Sequence, residues 1–337
     1  METSPKKQKL LEALDKMKNL HALVIGDVIL DRYIWGDTDR ISPEAPVPVV
    51  SETVREDRLG GAANVVRNLR AVGVNVDLCG FVGDDGEGKI VFNLLKSENV
   101  AIDGLLVDRS RPTSIKTRVI ARNQQMMRID REVKGQHSPA LCEGFAALVE
   151  ASIKKADFII ISDYAKGVMS NTLIEKLEIL QKKGELGLSS KPIFLDPHPD
   201  NYPLYKTVGV AKPNRKEAEK AANMKITNQE EAFIAAKKLI DLWHAEMMVI
   251  TLGEDGMIIL KRGEKAPIFL ETVARDVFDV SGAGDTVTAI LAAALTAGTD
   301  LSTAGNLANI AAGVVVSEVG TVPVDAVKLI AKIEDLE

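Results

Sequence analysis

DFIIISDYAKGVMSNTLIEKLEILQKKGELGLSSKPIFLD, residues 157–196, is the stretch that decides the fold. It opens on a short apolar, β-branched run (DFIIIS, 157–162) and passes through a helix-period segment (SNTLIEKLEILQKKG, 170–184). It closes on a second apolar run (PIFLD, 192–196). Neither run alternates with polar residues, so each reads as a strand buried on both faces, with a helix between them. The rhythm recurs outward. HALVIG (21–26), NVDLCGFVG (75–83) and MMVITLG (247–253) are further runs, and ANVVRNLRAVG (63–73) and NQEEAFIAAKKLIDLWHA (228–245) further helix patterns. This predicts an α/β fold of three layers, a mostly parallel central sheet with helices on both faces. Ligands in such sheets bind beyond the carboxyl ends of the strands.

Two stretches break the rhythm, VPVVSETVRED (47–57) and SIKTRVIARNQQMMRIDRE (114–132). Both alternate apolar with polar residues and have no helix between, which reads as antiparallel strands solvated on one face. They are expected to pair into a small β-sheet lid near the strand ends, with lid segments at about 33–58 and 112–132. An ordinary edge extension is the alternative. Exposed strand edges and apolar lid faces are often covered by a partner, so a homodimer through the lid is expected.

The 337 residues suit one large α/β domain spanning 1–337. A net charge of −6 argues against a nucleic-acid partner, and no apolar run reaches the ~18 residues of a membrane span. The charged N-terminal segment reads as an amphipathic helix without a signal-peptide core. Cys79 and Cys142 show no metal spacing and suit a reducing, cytoplasmic setting, and the four histidines are scattered singly. GDDGEGKI (83–90) mimics a phosphate loop, but Ile90 replaces the hydroxyl residue and three acidic side chains would repel phosphate.

DVSGAGDT, 279–286, joins a stretch expected to be extended (ETVARDVFDV, 271–280) to an apolar helix (DTVTAILAAALTAG, 285–298). Gly282, Ala283 and Gly284 leave the helix-opening amides unshielded, which suits an anion. A carboxylate in that site, Asp285, suits a base that takes a proton from the group attacking a phosphate. A tight loop with a dipole-favoured Asp is the plainer alternative. Asp27 and Asp31, in GDVILD, are expected at a strand end where they could hold a polyol, with Gly60, Gly61 and Asn64 beside them. Asn214 and Glu217 read either as a capping box or as a pair ordering water around Mg²⁺. Thr251, Gly253 and Gly256 allow close approach of a nucleotide, or form a plain hairpin.

The order of these motifs resembles the ribokinase family of sugar kinases along nearly the whole chain: Gly-Gly with Asn, then N-x-x-E, T-x-G-x-x-G and D-x-x-G-A-G-D. Within it the chain most resembles the D-glycero-β-D-manno-heptose 7-phosphate kinases. DRYIWGDTDRISPEAPVPV (31–49), NQQMMRIDRE (123–132), DYAKG (163–167) and LDPHP (195–199) carry that likeness. The resemblance implies a ribokinase-like domain in the stand-alone kinase form, using ATP and Mg²⁺ on the heptose 7-phosphate in the route to ADP-heptose and lipopolysaccharide. It implies Asp285 as base, with Gly282, Ala283 and Gly284 as anion hole. It places Asn214 and Glu217 around Mg²⁺, Thr251, Gly253 and Gly256 at the nucleotide, and Asn309 and Gly313 near adenine. A K⁺ ion would take backbone carbonyls near Asp279, Ser281, Val315, Glu318 and Gly320. Asp27, Asp31, Gly60, Gly61, Asn64 and Asp163 would face the sugar. Arg32, Arg40, Lys116, Arg118, Arg128 and Lys166 are the cations available to its phosphate, with arginine favoured for bidentate pairing. Another kinase of the family, or a silent sugar or nucleotide sensor, are the rival expectations.

Overall fold

Every apolar run read as a strand is one. In chain order the strands are β1 His21–Gly26, β2 Val28–Ile41, β3 Pro48–Gly61, β4 Asn75–Gly83, β5 Leu105–Asp108, β6 Ser114–Ala121 and β7 Gln124–Arg131. They continue as β8 Phe158–Ser162, β9 Ile193–Asp196, β10 Val210–Ala211, β11 Met247–Thr251, β12 Met257–Lys261 and β13 Ile268–Leu270. The helices are α1 Pro5–Met17, α2 Ala62–Ala71, α3 Gly86–Ser97, α4 Pro139–Ile153, α5 Asn171–Lys182, α6 Arg215–Ala222, α7 Gln229–Leu242, α8 Ala283–Thr296, α9 Leu301–Val315 and α10 Ala326–Glu334. This computed structural model describes residues 4–336 apart from 123, 207 and 274–276.

Among the described residues one sheet of nine strands runs β13-β12-β11-β10-β9-β8-β1-β4-β5. Pairing is parallel from β11 to β5, and β12 and β13 add an antiparallel edge. Successive side chains of each strand point to opposite faces. Ala22 and Val24 of β1, with Phe158 and Ile160 of β8, meet the layer built on α1, α2, α8, α9 and α10. Leu23, Ile25, Ile159 and Ile161 meet the layer of α4, α5, α6 and α7. That two-sided burial is why these strands carry no polar alternation. Removing one such side chain, as in Leu23→Ala, costs about 2–5 kcal/mol of cavity and transfer energy.

The lid departs from expectation. A second sheet runs β3-β2-β6-β7, so the two alternating stretches do not pair with each other; β2 lies between them. β2 is antiparallel to β3 but parallel to β6. The lid strands begin earlier than expected, at Val28, and Asp31 therefore lies inside β2 rather than at the end of β1. The extended reading of 271–280 also fails where it can be seen. The strand ends at Leu270, and residues 271–273 and 277–280 belong to no regular element, while 274–276 lie outside the described residues. Val277, Phe278 and Val280 are 58%, 71% and 69% exposed, so no sheet neighbour holds this segment extended. The mock phosphate loop is a cap: Asp85 accepts the Gly88 amide at 2.8 Å and opens α3. Among the described residues no helix is long and apolar enough to cross a membrane.

Candidate active site

The start of α8 sets the geometry. Its cap residue, Gly282, sits in the left-handed region at φ +82°. A Cβ there would lie 2.7 Å from Asn64 Nδ2, so the turn and the neighbour both call for glycine. First-turn amides have no intrahelical acceptor, which leaves those of Gly284 and Asp285 available. The Ala283 amide instead donates to Val280 O at 3.2 Å, which corrects its expected place in the anion hole.

Asp285 is buried. Asn64 Nδ2 donates to its Oδ2 at 2.9 Å, and Tyr164 OH donates to its Oδ1 at 2.8 Å. Burial pushes its carboxyl up to about 7, and Asp196 adds to that; the two hydrogen bonds and Lys212 pull the other way. Lys212 is itself buried, with Nζ 3.1 Å from Asp196 Oδ2, an oxygen that also accepts from Thr288 Oγ1 at 3.0 Å. Burial disfavours its charge, yet Asp196, Glu217 and Asp285 hold its ammonium above the ordinary lysine range. A Cβ on Gly284 would meet that ammonium at 3.4 Å, so a permanent cation lies against the helix start.

Asn214 and Glu217 do form the capping box. The Glu217 amide donates to Asn214 Oδ1 at 3.1 Å, and the Asn214 amide to Glu217 Oε2 at 2.8 Å. Burial, then the nearby Asp196, push the Glu217 carboxyl up to about 7. Thr251 forms a parallel bridge with Asn214, which joins the two segments expected at the nucleotide. Gly253 faces open space, whereas Gly256 packs against the carbonyl of Leu270. Asn309 Nδ2, on α9 one turn before Gly313, donates to Glu271 O at 2.5 Å. Asp279 accepts the Ser281 and Gly320 amides at 2.9 and 3.0 Å, and the Glu318 amide donates to Val315 O at 3.0 Å. The expected cation segments thus meet.

On the sugar side, Asp31 pairs with Arg118 at 2.6 Å and accepts from Thr321 Oγ1 at 3.0 Å, all three being buried. Gly60 packs directly on the Asp31 carboxylate, and Gly61, at φ +56°, turns the chain into α2. Lys116 Nζ sits over the Tyr164 ring at 5.0 Å. Burial lowers its pKa, Asp31 opposes that, and Lys166, Arg128 and Arg118 lower it further, so four cations gather here. Lys166 is held by Glu132 at 2.6 Å.

Several expected ligands are already spoken for. Asp27 accepts the amides of Tyr164, Lys166 and Val168 at 2.8, 3.0 and 3.2 Å, making it a staple of that loop. Burial, with Asp163 nearby, pushes its carboxyl up to about 7. Asp163 accepts the Ala165 amide and Asn201 Nδ2, both at 2.7 Å, and also Tyr205 OH. Arg32 forks onto Asp57 at 2.7 and 3.0 Å, and Arg128 onto Asp130, both at 2.9 Å. Arg40 is an exposed residue near the far end of β2. For Asp27, Asp163, Arg32 and Arg128 the physical reason is the same: polar groups in a folded chain pair with the protein partners within their reach.

A model of the pfkB family of carbohydrate kinases matches residues 19–326. The chain belongs to that family. It is 44% identical over 313 residues to a protein named bifunctional protein HldE from Desulfatibacillum aliphaticivorans, and 40% over 314 residues to its namesake from Geobacter sulfurreducens. Each alignment covers 93% of this chain and 63% of the relative, so the chain spans under two thirds of their length. Arabidopsis thaliana ribokinase, solved with ribose and ATP, superposes with a TM-score of 0.72 at 20% identity, covering 94% of this chain and 99% of that one. Escherichia coli phosphofructokinase-2 with fructose-6-phosphate gives 0.72 at 16%, covering 94% and 98%. These two show the ribokinase-like fold. The matching family is one of carbohydrate kinases.

Sequence reasoning missed Tyr164, Asp196, Lys212 and Thr288. Asp196 had a readable signal, a carboxylate at the carboxyl end of a buried strand. Tyr164 and Lys212 had none, because their partners are set by tertiary contact. A base must be ionised to take a proton, so with Asp285 in the role of base proposed below kcat/KM should fall below pH about 7 as it gains one, with Glu217 and Asp27 titrating alongside. A profile of kcat/KM against pH checks this, and one that stays flat to about pH 5.5 contradicts it.

Proposed function

We propose that the protein transfers the γ-phosphoryl group of ATP to the anomeric C1 hydroxyl of D-glycero-β-D-manno-heptose 7-phosphate, giving the 1,7-bisphosphate. Such a product feeds the route to ADP-heptose. The observation that carries the reading is Asp285, buried in the first turn of α8 and hydrogen-bonded to Tyr164, whose ring lies under the lid cation Lys116. Its carboxylate takes the C1 hydroxyl proton while that oxygen bonds to the γ-phosphorus and the bond to ADP breaks. The amides of Gly284 and Asp285 and the Lys212 ammonium stabilise charge on the transferring group. Asn64 keeps one buried oxygen, Oδ1, without a partner among the described residues, which suits a sugar hydroxyl donor. Lys116, Arg118 and Lys166 supply the positive field for the 7-phosphate. The resemblance of residues 31–49, 123–132, 163–167 and 195–199 to the heptose 7-phosphate kinases supports heptose over other sugars.

The residues present fit a divalent cation. Asp196 and Glu217 are carboxylates close enough to repel each other, beside the helix start where phosphates would lie. Mg²⁺ on the nucleotide phosphates would neutralise charge there. Asn214 and Glu217 would order its water shell, so replacing both with Ala should raise the Mg²⁺ concentration needed for half-maximal rate several-fold. An unchanged magnesium titration would leave them as a cap alone. K⁺ would sit among the carbonyls around Asp279 and Gly320.

A homodimer through the lid is part of this reading. Val54 on β3 and Met127 and Ile129 on β7 are each 55% exposed, on strands whose outer edges are unpaired among the described residues. Light scattering at micromolar concentration that returns one chain's mass would remove it. The substrate itself is tested by a panel of the heptose 7-phosphate, fructose 6-phosphate, free sugars and nucleosides with ATP. The heptose 7-phosphate should give the highest kcat/KM.

A further inference from the structure

The base assignment leaves one observation unused, the hydroxyl of Tyr164. We infer that Tyr164 is a positioning residue that holds the Asp285 carboxylate as the acceptor of the sugar proton and ties it to the lid. The inference rests on the reading of Asp285 as base and goes beyond it.

Three contacts meet on this one residue. Its hydroxyl donates to Asp285 Oδ1 at 2.8 Å, opposite the Asn64 donor on Oδ2. Its ring lies under Lys116 Nζ, which projects from lid strand β6. Its amide is stapled to Asp27 Oδ2 at 2.8 Å, at the end of β1. A carboxylate with one donor on each oxygen has its rotation restrained, and each oxygen keeps a lone-pair site for a further donor. The ring also gives the lid a physical route to the base. A shift of Lys116 toward an incoming phosphate moves the charge above the donor that holds Asp285.

The hydroxyl also offsets burial. Asp285 faces Asp196 and Lys212 besides its two hydrogen-bond donors, while Tyr164 faces Asp31, Asp196 and Lys116. Burial and then Asp285 raise the phenol well above its ordinary pKa, so it stays a donor across the working range. Removing the donor leaves desolvation less opposed, and the carboxylate then holds its proton to higher pH.

Tyr164→Phe deletes the hydroxyl but keeps the ring under Lys116 and the amide on Asp27. The acid limb of kcat/KM should move up by about half to one pH unit, and kcat near neutrality should fall about tenfold, with KM for ATP unchanged. 3-Fluorotyrosine at 164, a stronger donor of the same shape, should move the limb the opposite way. Asp285→Asn is measured in parallel. If Asp285→Asn keeps turnover, the base reading has failed. If Asp285→Asn is inactive but the acid limb stays put in both Tyr164 variants, the positioning role is overturned.

Discussion

Asp285→Asn should lower kcat by about 10²–10⁴-fold, the usual contribution of a positioned general base, while leaving the fold and nucleotide binding intact. The amide is isosteric, and the site can accommodate it. Asn64 and Tyr164 each present a donor to the carboxylate at 2.9 and 2.8 Å. One amide oxygen keeps one of those bonds, and the helix-start amides are untouched. The substitution also removes the cost of a buried charge. Melting temperature should therefore hold or rise as turnover collapses. That pairing separates loss of chemistry from loss of structure. A variant within tenfold of wild type would return Asp285 to a dipole partner at a helix start.

The second large effect is on stability. Arg118→Met should destabilise the protein by about 3–5 kcal/mol, because it strands a buried carboxylate. Arg118 and Asp31 are 8% and 4% exposed and 2.6 Å apart, with Thr321 as the other hydrogen-bond donor to Asp31. Arg118 also stacks 5.2 Å from the Tyr33 ring, so its loss opens the root of the lid. Adding Asp31→Asn should restore much of the melting temperature, since no uncompensated charge then remains. Calorimetry on the single and double variants reads this directly. Equal melting temperatures for wild type and Arg118→Met would mean that the pair is solvated and unimportant.

These two sites differ in how far the sequence discloses them. Gly282–Asp285 is local: a short Gly-Ala-Gly-Asp opening on an apolar helix states its own geometry, and Asp285 is where that reading places it. The parallel sheet was legible for the same reason, since runs such as FIIIS are apolar on both faces and nothing distant needs to be known. β2 was not legible. Its stretch DRYIWGDTDR, residues 31–40, is dense in charge and only partly buried. Its pairing with β3 slips between Trp35 and Gly36 and again between Asp37 and Arg40, which interrupts the period-2 signal. The lid order followed from that omission. Tyr164 stands 121 residues from Asp285 in the chain, and no motif announces such a contact. The arginines of the lid read as phosphate ligands because charge is visible in sequence; Asp57, which occupies Arg32, is visible only in the register of β2 with β3, whereas Asp130 lies two residues from Arg128 on β7.

The central claim is a transfer of the γ-phosphoryl group to an anomeric sugar hydroxyl that Asp285 deprotonates. Its most direct test is ³¹P NMR of the protein incubated with ATP, Mg²⁺ and D-glycero-β-D-manno-heptose 7-phosphate. The account predicts a new phosphate resonance coupled to the anomeric proton, formed in step with ADP and absent with Asp285→Asn. ADP formation without that resonance, or an anomeric phosphate made equally well by Asp285→Asn, would contradict it.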